Sequence, residues 1–316
     1  MERPDYVKVK LPSGDTFYSL NSLIKGNSLH TVCEEARCPN VSECWESGTA
    51  TFMILGKNCS RGCRFCSVTH GNMEPLDIDE PIKVRDSVKS MGLKYAVITS
   101  VDRDDLPDQG SMHYAETIKQ VKTLGIKVEA LIPDFRGDRK LIRTIIEARP
   151  DVLAHNIETV RRLTPAIRDA RAGYDQSLSV LSYIKEENPY MITKSSIMLG
   201  HGETDDEVEQ AMEDLIENGV DILTIGQYLR PSKKQIEVKE YCSSERYKRL
   251  EALGYKHGFR FVASGPLVRT SYRAFEAWAA QNIKLFRFQE YYWIIQSQTL
   301  YEQTFGVIRV RWSNNR

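Results

Sequence analysis

Three cysteines in one short stretch are the residues of this 316-residue chain that are best suited to chemistry. Cys59, Cys63 and Cys66, in the run CSRGCRFC, have the spacing C-x3-C-x2-C. Three thiolates on one loop can hold three irons of a four-iron cubane, which leaves the fourth iron with an open coordination site. An open site implies a bound ligand, so the spacing predicts a cluster that binds a further molecule.

A second cysteine triplet lies just upstream of the first. Cys33, Cys38 and Cys44, in CEEARCPNVSECW, have the spacing C-x4-C-x5-C, so two three-ligand sites are expected in one short segment. A structural zinc site is the alternative for the downstream triplet, but zinc usually takes four Cys or His ligands, often as paired C-x2-C knuckles. The seventh cysteine, Cys242, belongs to neither triplet, and we predict that it packs in the core.

The composition indicates where these cysteines work. Lys+Arg and Asp+Glu are both 43, so the formal net charge is zero, and the totals favour neither a nucleic-acid nor a membrane partner. The N-terminus has no apolar signal core, and no stretch approaches the ~18 apolar residues of a membrane span. We therefore expect a cytoplasmic protein, in which clustered cysteines more often bind metal or do chemistry than form disulfides.

The elements that must position the cysteines alternate regularly along the chain. Six β-rich runs, near residues 52, 94, 127, 151, 191 and 221, are separated by amphipathic stretches of helical period. Thr204, which precedes acidic residues, is a predicted helix N-cap. This alternation predicts right-handed βαβ units and a parallel sheet, and six units make an incomplete barrel rather than the full eight.

Polar residues gather where the predicted strands end. In parallel α/β folds the chemistry lies at the C-terminal ends of the strands. Any one polar stretch there is more often an N-cap or a solvated loop. Four in succession favour a polar ligand across the barrel mouth. The four stretches are 99–105, 155–158, 200–203 and 227–230.

The downstream triplet is the signature of the radical S-adenosylmethionine (SAM) superfamily. Combined with the upstream triplet and the run GPLVRTSYRAFE, it resembles the lipoyl synthase family. The resemblance extends from about Leu20 to about Phe275 and includes TSVDRDDLPDQGSMHYAETI, HNIETV, RDARAGYDQSL, KSSIMLG and QYLRPS. It implies an α/β fold, namely a partial (β/α)6 barrel of the radical SAM type with N-terminal and C-terminal extensions that carry an auxiliary cluster.

The resemblance also suggests a division of the chain into three parts. We expect an N-terminal extension with the auxiliary-cluster cysteines at 1–48, the radical SAM partial barrel at 49–265, and a C-terminal extension with the RTSY motif and an atypical tail at 266–316. After Trp278 the tail is rich in aromatic and apolar residues. It is an added packing element, a partner-binding segment, or the product of a shifted reading frame or mispredicted exon; sequence alone leaves these open.

The resemblance implies SAM and two [4Fe-4S] clusters as cofactors. One cluster, on Cys59, Cys63 and Cys66, would bind the amino and carboxylate groups of SAM, and its one-electron reduction cleaves SAM to a 5′-deoxyadenosyl radical. The auxiliary cluster would take Cys33, Cys38, Cys44 and, as an unusual fourth ligand, Ser271. In the family this serine belongs to an Arg-Ser-Ser-Tyr motif. This chain reads RTSY from Arg269, so Thr270 replaces the first serine.

The implied reaction is sulfur insertion at C6 and C8 of a protein-bound octanoyl-lysine. The C–H bonds at these carbons are unactivated, so no side-chain acid or base can usefully deprotonate them and a radical is needed. One SAM is used for each carbon, and the auxiliary cluster supplies the sulfur and must be rebuilt between turnovers. The implied partners are an octanoylated lipoyl carrier domain or protein, an electron donor and a cluster-repair protein.

Candidate SAM contacts follow from the resemblance and from position in the barrel. Phe65 matches an aromatic that the family packs near the adenine, and His201 stands where the family's GLGET turn usually has Leu. The remaining candidates are Thr99, Ser100 and Asp102 for the amino and carboxylate groups, Asn156 and Glu158 for the ribose, and Lys194 and Ser196 for the pocket lining.

Three other functions are compatible with parts of the sequence. A methylthiotransferase-like radical SAM enzyme would share the downstream triplet and the partial barrel, but the upstream triplet and RTSY argue against it. A non-enzymatic iron–sulfur or zinc protein would explain the cysteines, although not the polar strand ends. A lipoyl synthase relative with an altered C-terminus would keep both clusters and turn over poorly.

Overall fold

The computed structural model of the chain describes residues 4–7, 26, 29–32, 38, 40–46, 48–272 and 274–279. The chain divides into two compact units, Met1–Phe275 and Glu276–Arg316. Of the second unit only residues 276–279 are described, so most of the predicted atypical tail lies outside the described residues. The fold and the site discussed below belong to the first unit.

An eight-stranded sheet organises the first unit, in the order β1-β2-β5-β6-β7-β8-β9-β10. The short edge strand β1 runs antiparallel to β2, and every other neighbouring pair is parallel. Because β10 and β1 are the two edges, the described sheet is an open, partial barrel, as predicted. The strands are β1 (His30–Thr31), β2 (Thr49–Ile54), β5 (Tyr95–Ser100), β6 (Lys127–Leu131), β7 (Val152–Ala154), β8 (Ile192–Leu199), β9 (Ile222–Gln227) and β10 (Phe261–Gly265).

Two further short strands form a separate parallel pair beside the main sheet. They are β3 (Asn58–Cys59) and β4 (Thr69–His70), and they bracket the chain that carries the downstream cysteine triplet. Gly71 N also donates to Cys59 O at 3.3 Å. The loop that holds the three cysteines is therefore closed at its base by backbone hydrogen bonds.

All six predicted strands are present, and β10 is a parallel strand that the sequence did not predict. Its burial pattern explains the omission, because Val262 is the strand's one fully buried residue. An edge strand of this kind has little of the hydrophobic signal that identified the strands of the barrel interior. The six predicted units are confirmed, and β10 extends the sheet at one edge.

Helices connect the parallel strands and cover the outside of the sheet. The helix Asp205–Glu217, α7, begins with a capping box. Thr204 Oγ1 accepts from Glu207 N at 3.3 Å, and Glu207 Oε2 accepts from Thr204 N at 2.8 Å. The predicted N-cap at Thr204 is confirmed. The helices are α1 (Val41–Glu46), α2 (Glu80–Ser90), α3 (Ser111–Lys122), α4 (Arg139–Glu147), α5 (Thr164–Ile167), α6 (Tyr174–Glu187), α7 (Asp205–Glu217) and α8 (Ser244–His257).

Two apolar clusters form the core between the sheet and the helices. One lies around β2, β5 and β6, and the other around β8 and β9. Cys242 is completely buried in the second cluster, as predicted for a packing cysteine. Within the described part of the chain, none of the helices has the length and apolar character needed to cross a membrane.

Candidate functional site

A cavity of about 610 Å³ opens at the C-terminal ends of the parallel strands. The loops that follow the strands line it, as expected for chemistry in a parallel α/β fold. Most of the predicted site residues line this one cavity. They are Cys38, Cys59, Cys63, Phe65, Cys66, Thr99, Ser100, Asp102, Asn156, Glu158, Ser196 and Ser271.

Three predicted site residues are not among those that line the cavity. Cys33 lies outside the described residues. Cys44 is in α1, where it is partly buried and packs against the first apolar cluster. Lys194 lies deeper in the barrel, with no exposed surface, and its Nζ donates to the two carboxylate oxygens of Glu129 at 2.9 and 3.0 Å. The structure thus places Lys194 in a buried ion pair rather than in the cavity wall.

The sulfur atoms of the downstream triplet accept backbone hydrogen bonds. Cys59 Sγ accepts from Asp102 N at 3.3 Å and from Arg61 N at 3.4 Å, and Cys63 Sγ accepts from Asp169 N at 3.3 Å. N–H donors of this kind stabilise the thiolate ligands of iron–sulfur clusters and tune their potentials. The donor set and its surroundings therefore fit a cubane cluster.

The number of thiols in the downstream triplet favours a cluster over a single zinc ion. A structural zinc site usually takes four Cys or His ligands, whereas Cys59, Cys63 and Cys66 supply three. Three thiolates suffice for a four-iron cubane, because the fourth iron then binds an outside ligand.

Burial keeps these thiols neutral when no metal is bound. It raises the pKa of Cys66 to about 11, and burial together with the nearby Asp102 carboxylate raises the pKa of Cys59 to about 12. Burial likewise raises the pKa of Cys63. Because iron binds the thiolate, assembly of a cluster must displace a proton from each ligand. The burial that disfavours free thiolates also shields a bound cluster from water.

A buried arginine fixes the loop between the first two cysteines. Arg61 has only 4% of its surface exposed. Its Nε and Nη2 each donate to Asp104 at 2.9 Å, and its Nη1 lies 2.8 Å from Asp134. A third carboxylate, Asp102, is 3.3 Å from Nε, and burial raises the pKa of Asp102 to about 6. Three strand-end carboxylates thus surround one guanidinium inside the cysteine loop.

Asp104 joins the cysteine loop to two more parts of the chain. Besides Arg61, it accepts from Ser60 Oγ at 2.9 Å, Arg136 Nε at 3.0 Å and Arg171 Nη1 at 3.1 Å. Burial alone would raise the pKa of Asp104, but Arg61, with help from Ser60 and Arg136, lowers it to about 2. A carboxylate that accepts from so many donors is firmly placed.

The run RDARAG supplies a second clamp on the same loop. Asp169 Oδ2 accepts from Gly62 N at 2.8 Å, and Arg171 Nη2 donates to Ser60 O at 2.8 Å. The sequence did not assign roles to these residues or to Asp134. Asp134 follows β6, so the strand-end rule would have found it, whereas Asp169 follows the short helix α5 and has no such signal.

Two polar atoms in the cavity wall are buried without a partner. Ser100 Oγ and Asn156 Oδ1 have no hydrogen-bond partner among the described residues, and both residues line the cavity. Buried polar atoms are rarely left unpaired in native proteins. Both atoms are therefore suited to the hydroxyl and amino groups of a polar ligand such as SAM. Thr99 differs, since its Oγ1 already donates to Leu131 O at 3.0 Å.

The RTSY loop joins the upstream cysteine segment to the cavity. Cys38 and Ser271 line the cavity together, and Asn40 Nδ2 donates to Leu267 O at 2.6 Å. Tyr272 OH donates to Glu43 Oε1, in the helix that carries Cys44, at 3.1 Å. Burial raises the pKa of Cys38, although the nearby Arg269 opposes this. Two predicted auxiliary-cluster ligands, Cys38 and Ser271, therefore line the same cavity as the downstream triplet.

The turn after β8 contains the His201 departure from the family pattern. The His201 ring lies 4.4 Å, centre to centre, from the ring of Tyr228, which lines the cavity. Neither nitrogen of the His201 ring has a partner within the described part of the chain, and burial lowers its pKa to about 4. Glu203 holds the turn by accepting from Gly200 N at 2.7 Å and from His201 N at 2.9 Å.

Two family models match the chain. The model of the radical SAM superfamily matches residues 53–215, and the model of the N-terminal domain of lipoyl synthase matches residues 1–38. The chain is 65% identical to the lipoyl synthase of Picrophilus torridus over 281 residues, which cover 89% of this chain and 98% of that protein. It is 53% identical to the lipoyl synthase of Thermus thermophilus over 275 residues, covering 86% and 85%.

Two solved structures of other proteins share the fold. Methylornithine synthase superposes with a TM-score of 0.51 at 16% identity, over 77% of this chain and 81% of that one. The FeFe-hydrogenase maturase of Carboxydothermus hydrogenoformans superposes with a TM-score of 0.53 at 11% identity, over 85% and 78%. At such identities the likeness extends to the fold alone.

Proposed function

Because this chain belongs to the lipoyl synthase family of the radical SAM superfamily, we propose that it inserts sulfur at C6 and C8 of a protein-bound octanoyl-lysine. The observation that carries the proposal is one cavity lined both by the Cys59–Cys66 triplet and by Cys38 and Ser271 of the auxiliary set. Sulfur insertion requires that the radical and the sulfur source reach one substrate carbon, and a shared cavity of about 610 Å³ permits this.

The downstream triplet would form the SAM-binding cluster. Cys59, Cys63 and Cys66 would hold a [4Fe-4S] cluster, which together with SAM supplies a 5′-deoxyadenosyl radical. The chain's own contribution is to place and shield these groups. Arg61 and Asp104 fix the cysteine loop, and the buried side chains of the cavity wall would limit the access of water to a reactive species.

The auxiliary cluster would be the sulfur substrate of the reaction. Its ligands would be Cys33, Cys38, Cys44 and Ser271. Support comes from Cys38 and Ser271, which share the cavity wall, and from the bond between Tyr272 and the helix that carries Cys44. A hydroxyl is a hard, weak ligand beside thiolates, so Ser271 would be displaced readily when the cluster opens.

Ser100 Oγ and Asn156 Oδ1 are the atoms best placed to contact SAM. Each is buried and unpaired among the described residues, and each belongs to a residue that lines the cavity. We retain Phe65 for the adenine, and Thr99, Asp102, Glu158 and Ser196 as further lining residues. Lys194 is assigned to the barrel interior instead, since its ammonium is paired with Glu129.

The partners and the cellular location remain proposals of the same kind. The substrate would be an octanoylated lipoyl carrier domain or protein, and turnover would also need an electron donor and a cluster-repair protein. A cytoplasmic location suits six cysteines that must stay reduced to bind iron. The division at residues 48 and 265 also remains a prediction.

Iron content tests the two-cluster assignment. The protein is purified without oxygen, reconstituted with iron and sulfide, and compared with a Cys33/Cys38/Cys44→Ala variant. We expect about eight irons in the parent and about four in the variant, since each cubane holds four. The matched control, Cys242→Ala, removes a buried cysteine outside both triplets and should keep about eight. About four irons in both parent and variant would remove the sulfur source.

Product analysis separates the remaining functions. Reduced, reconstituted protein is incubated with SAM and an octanoylated carrier protein, and the carrier is examined by mass spectrometry. We expect 5′-deoxyadenosine and a carrier with two added sulfurs in the parent, and 5′-deoxyadenosine alone in the triple-alanine variant. SAM cleavage without sulfur transfer in the parent would point to another radical SAM activity, and no cleavage would point to a binding protein. Increased turnover after truncation beyond Trp278 would show that the tail weakens the enzyme.

A further inference from the structure

One side chain of the RTSY loop reaches the candidate SAM site. Asn156 Nδ2 donates to Thr270 Oγ1 at 3.1 Å and to Glu158 Oε1 at 3.1 Å. An amide nitrogen carries two hydrogens, so both are used by these contacts. The oxygen of the same amide, Asn156 Oδ1, is buried and has no hydrogen-bond partner among the described residues, and Asn156 is one of the residues that line the cavity. The loop therefore holds the nitrogen of an amide whose oxygen is left without a partner in the described part of the chain.

The neighbours of Asn156 determine which way its amide points. Asn156 Nδ2 donates to Glu158 Oε1. Burial raises the pKa of Glu158, but a carboxyl group keeps an oxygen that accepts from the amide nitrogen in either protonation state. Glu158 is itself held in place. Its backbone has a positive φ of 67°, and it donates to Ser196 O at 3.1 Å and accepts from Met198 N at 2.8 Å. The Thr270 hydroxyl completes the set by occupying the second hydrogen of the nitrogen.

Thr270 has a fixed position from which to hold Asn156. An ideal Cβ on Gly226 of β9 would lie 2.1 Å from Val268 O, so the loop backbone rests directly on the strand backbone. From the other side, Asn40 Nδ2 holds Leu267 O at 2.6 Å. Threonine is also restricted in χ1 by its branched Cβ, which limits the directions in which its hydroxyl can point.

We propose that Thr270 is a positioning residue that keeps the oxygen of Asn156 facing the cavity, where it accepts a hydrogen bond from a hydroxyl or amino group of SAM. The proposal rests on the proposed function for the identity of that ligand. Because Thr270 adjoins Ser271, the same loop position links the SAM site to the proposed auxiliary-cluster ligand. At the point where the chain departs from the family motif, the replacement thus retains the hydroxyl that this contact requires.

The test compares two substitutions of Thr270 in the reconstituted full-length protein. Thr270→Val keeps the shape and removes the hydroxyl, whereas Thr270→Ser keeps the hydroxyl. Isothermal titration with SAM under argon gives the dissociation constant. We expect a rise of about 5- to 10-fold for Thr270→Val, as for the loss of one hydrogen bond, and a change of less than about twofold for Thr270→Ser. Combined with Asn156→Ala, Thr270→Val should add no further loss, because its effect passes through the amide.

Two results would overturn the proposal. One is a dissociation constant for Thr270→Val within about twofold of the parent, and the other is an undiminished effect in the Asn156→Ala background. Should Thr270→Val also lose auxiliary iron, the comparison is repeated in the Cys33/Cys38/Cys44→Ala protein. The same weakening is expected there, and its absence would equally refute the role. Failure of the proposed function would give a different result. If SAM binding responds to Thr270 as expected but no sulfur is inserted, the role of Thr270 stands and only the proposed reaction is refuted.

Discussion

At position 201 the chain has a buried imidazole where the family resemblance predicts leucine. His201 is 6% exposed, and neither ring nitrogen has a partner among the described residues. The imidazole ring lies 4.4 Å, between centres, from the ring of Tyr228. An unpaired buried polar group costs about 1–3 kcal/mol, and a ring pair returns about 0.5–1.5 kcal/mol. The native histidine is therefore expected to destabilise the fold slightly.

We expect His201→Leu to raise the free energy of unfolding at pH 7 by about 1 kcal/mol, the difference between these two contributions. Urea unfolding followed by circular dichroism measures it. His257→Leu is the matched control, because His257 Nε2 lies 3.0 Å from Glu209 Oε1 and its loss should not stabilise the protein. A variant less stable than the parent would mean that the Tyr228 contact outweighs the unpaired nitrogens.

The same substitution should change how stability depends on pH. Burial lowers the pKa of His201 from 6.5 to about 4. Between these values the unfolded chain binds a proton that the folded chain does not, so stability falls as the pH falls. This one group contributes a loss of up to about 3 kcal/mol. The difference between His201→Leu and the parent should widen from pH 7 to pH 4.5. His155, whose pKa is also lowered to about 4 by burial, keeps some of the dependence in both proteins.

At the level of elements, the cysteine loop is held by charges from the loops after β5 and β6. The side chain of Arg61 is 2% exposed, and that of its partner Asp134 is completely buried. Removing one member of a buried ion pair typically costs about 3–5 kcal/mol, because the other charge is left unpaired. Arg61 also pairs with Asp102 and Asp104, so its loss leaves more uncompensated charge than the loss of any one of these carboxylates.

Arg61→Met should therefore lower the free energy of unfolding by about 3–5 kcal/mol and reduce iron uptake at the downstream triplet. Arg85→Met removes a half-buried arginine that pairs with the exposed Asp86 and donates to Gln120 Oε1, and it should cost no more than about 1 kcal/mol. Urea unfolding and iron content of both variants make the comparison. Equal stability of the two variants would show that the Arg61 network does not hold the loop.

The sequence predicted the elements of the site better than the contacts that fix them. Cysteine spacing and strand-end polarity depend on local sequence, and they identified Cys59 and Asn156, which line the cavity. The partners of Arg61 come from separate loops, so no local pattern reveals them. Lys194 illustrates the same limit. Alternation along β8 places it on the same side as Ser196, but only the structure shows that it lies below the cavity, against Glu129.

For the whole molecule, the βα alternation predicted the partial barrel because each unit is encoded locally by period and turn residues. The position of the RTSY loop against β9 has no such signal. It depends on Gly226, where a Cβ would lie 2.1 Å from Val268 O, and on Asn40 in the N-terminal segment. Only the family resemblance predicts that the N-terminal and C-terminal extensions share one cluster. The composition and periodicity of the chain give no reason to relate these two segments.

Inside the barrel, a buried polar network joins β8 to β6 and β5, although β7 separates β8 from both in the sheet. Lys194 of β8 pairs with Glu129 of β6 at 2.9 Å, and Tyr95 OH of β5 donates to Glu129 at 3.0 Å. These side chains are no more than 1% exposed. Because the sheet of the described residues is open between its edge strands β1 and β10, we expect such interior contacts to help to maintain its curvature.

Lys194→Met should therefore destabilise the whole protein by about 3–5 kcal/mol, because it leaves the Glu129 carboxylate buried and unpaired. Adding Glu129→Gln removes that charge while retaining an acceptor for Tyr95 OH, so the double variant should recover most of the loss. Urea unfolding of the parent, both single variants and the double variant gives the coupling energy. Additive losses would show that the two side chains act independently. Recovery would show that charge balance inside the barrel, rather than the cavity above it, maintains the scaffold of the site.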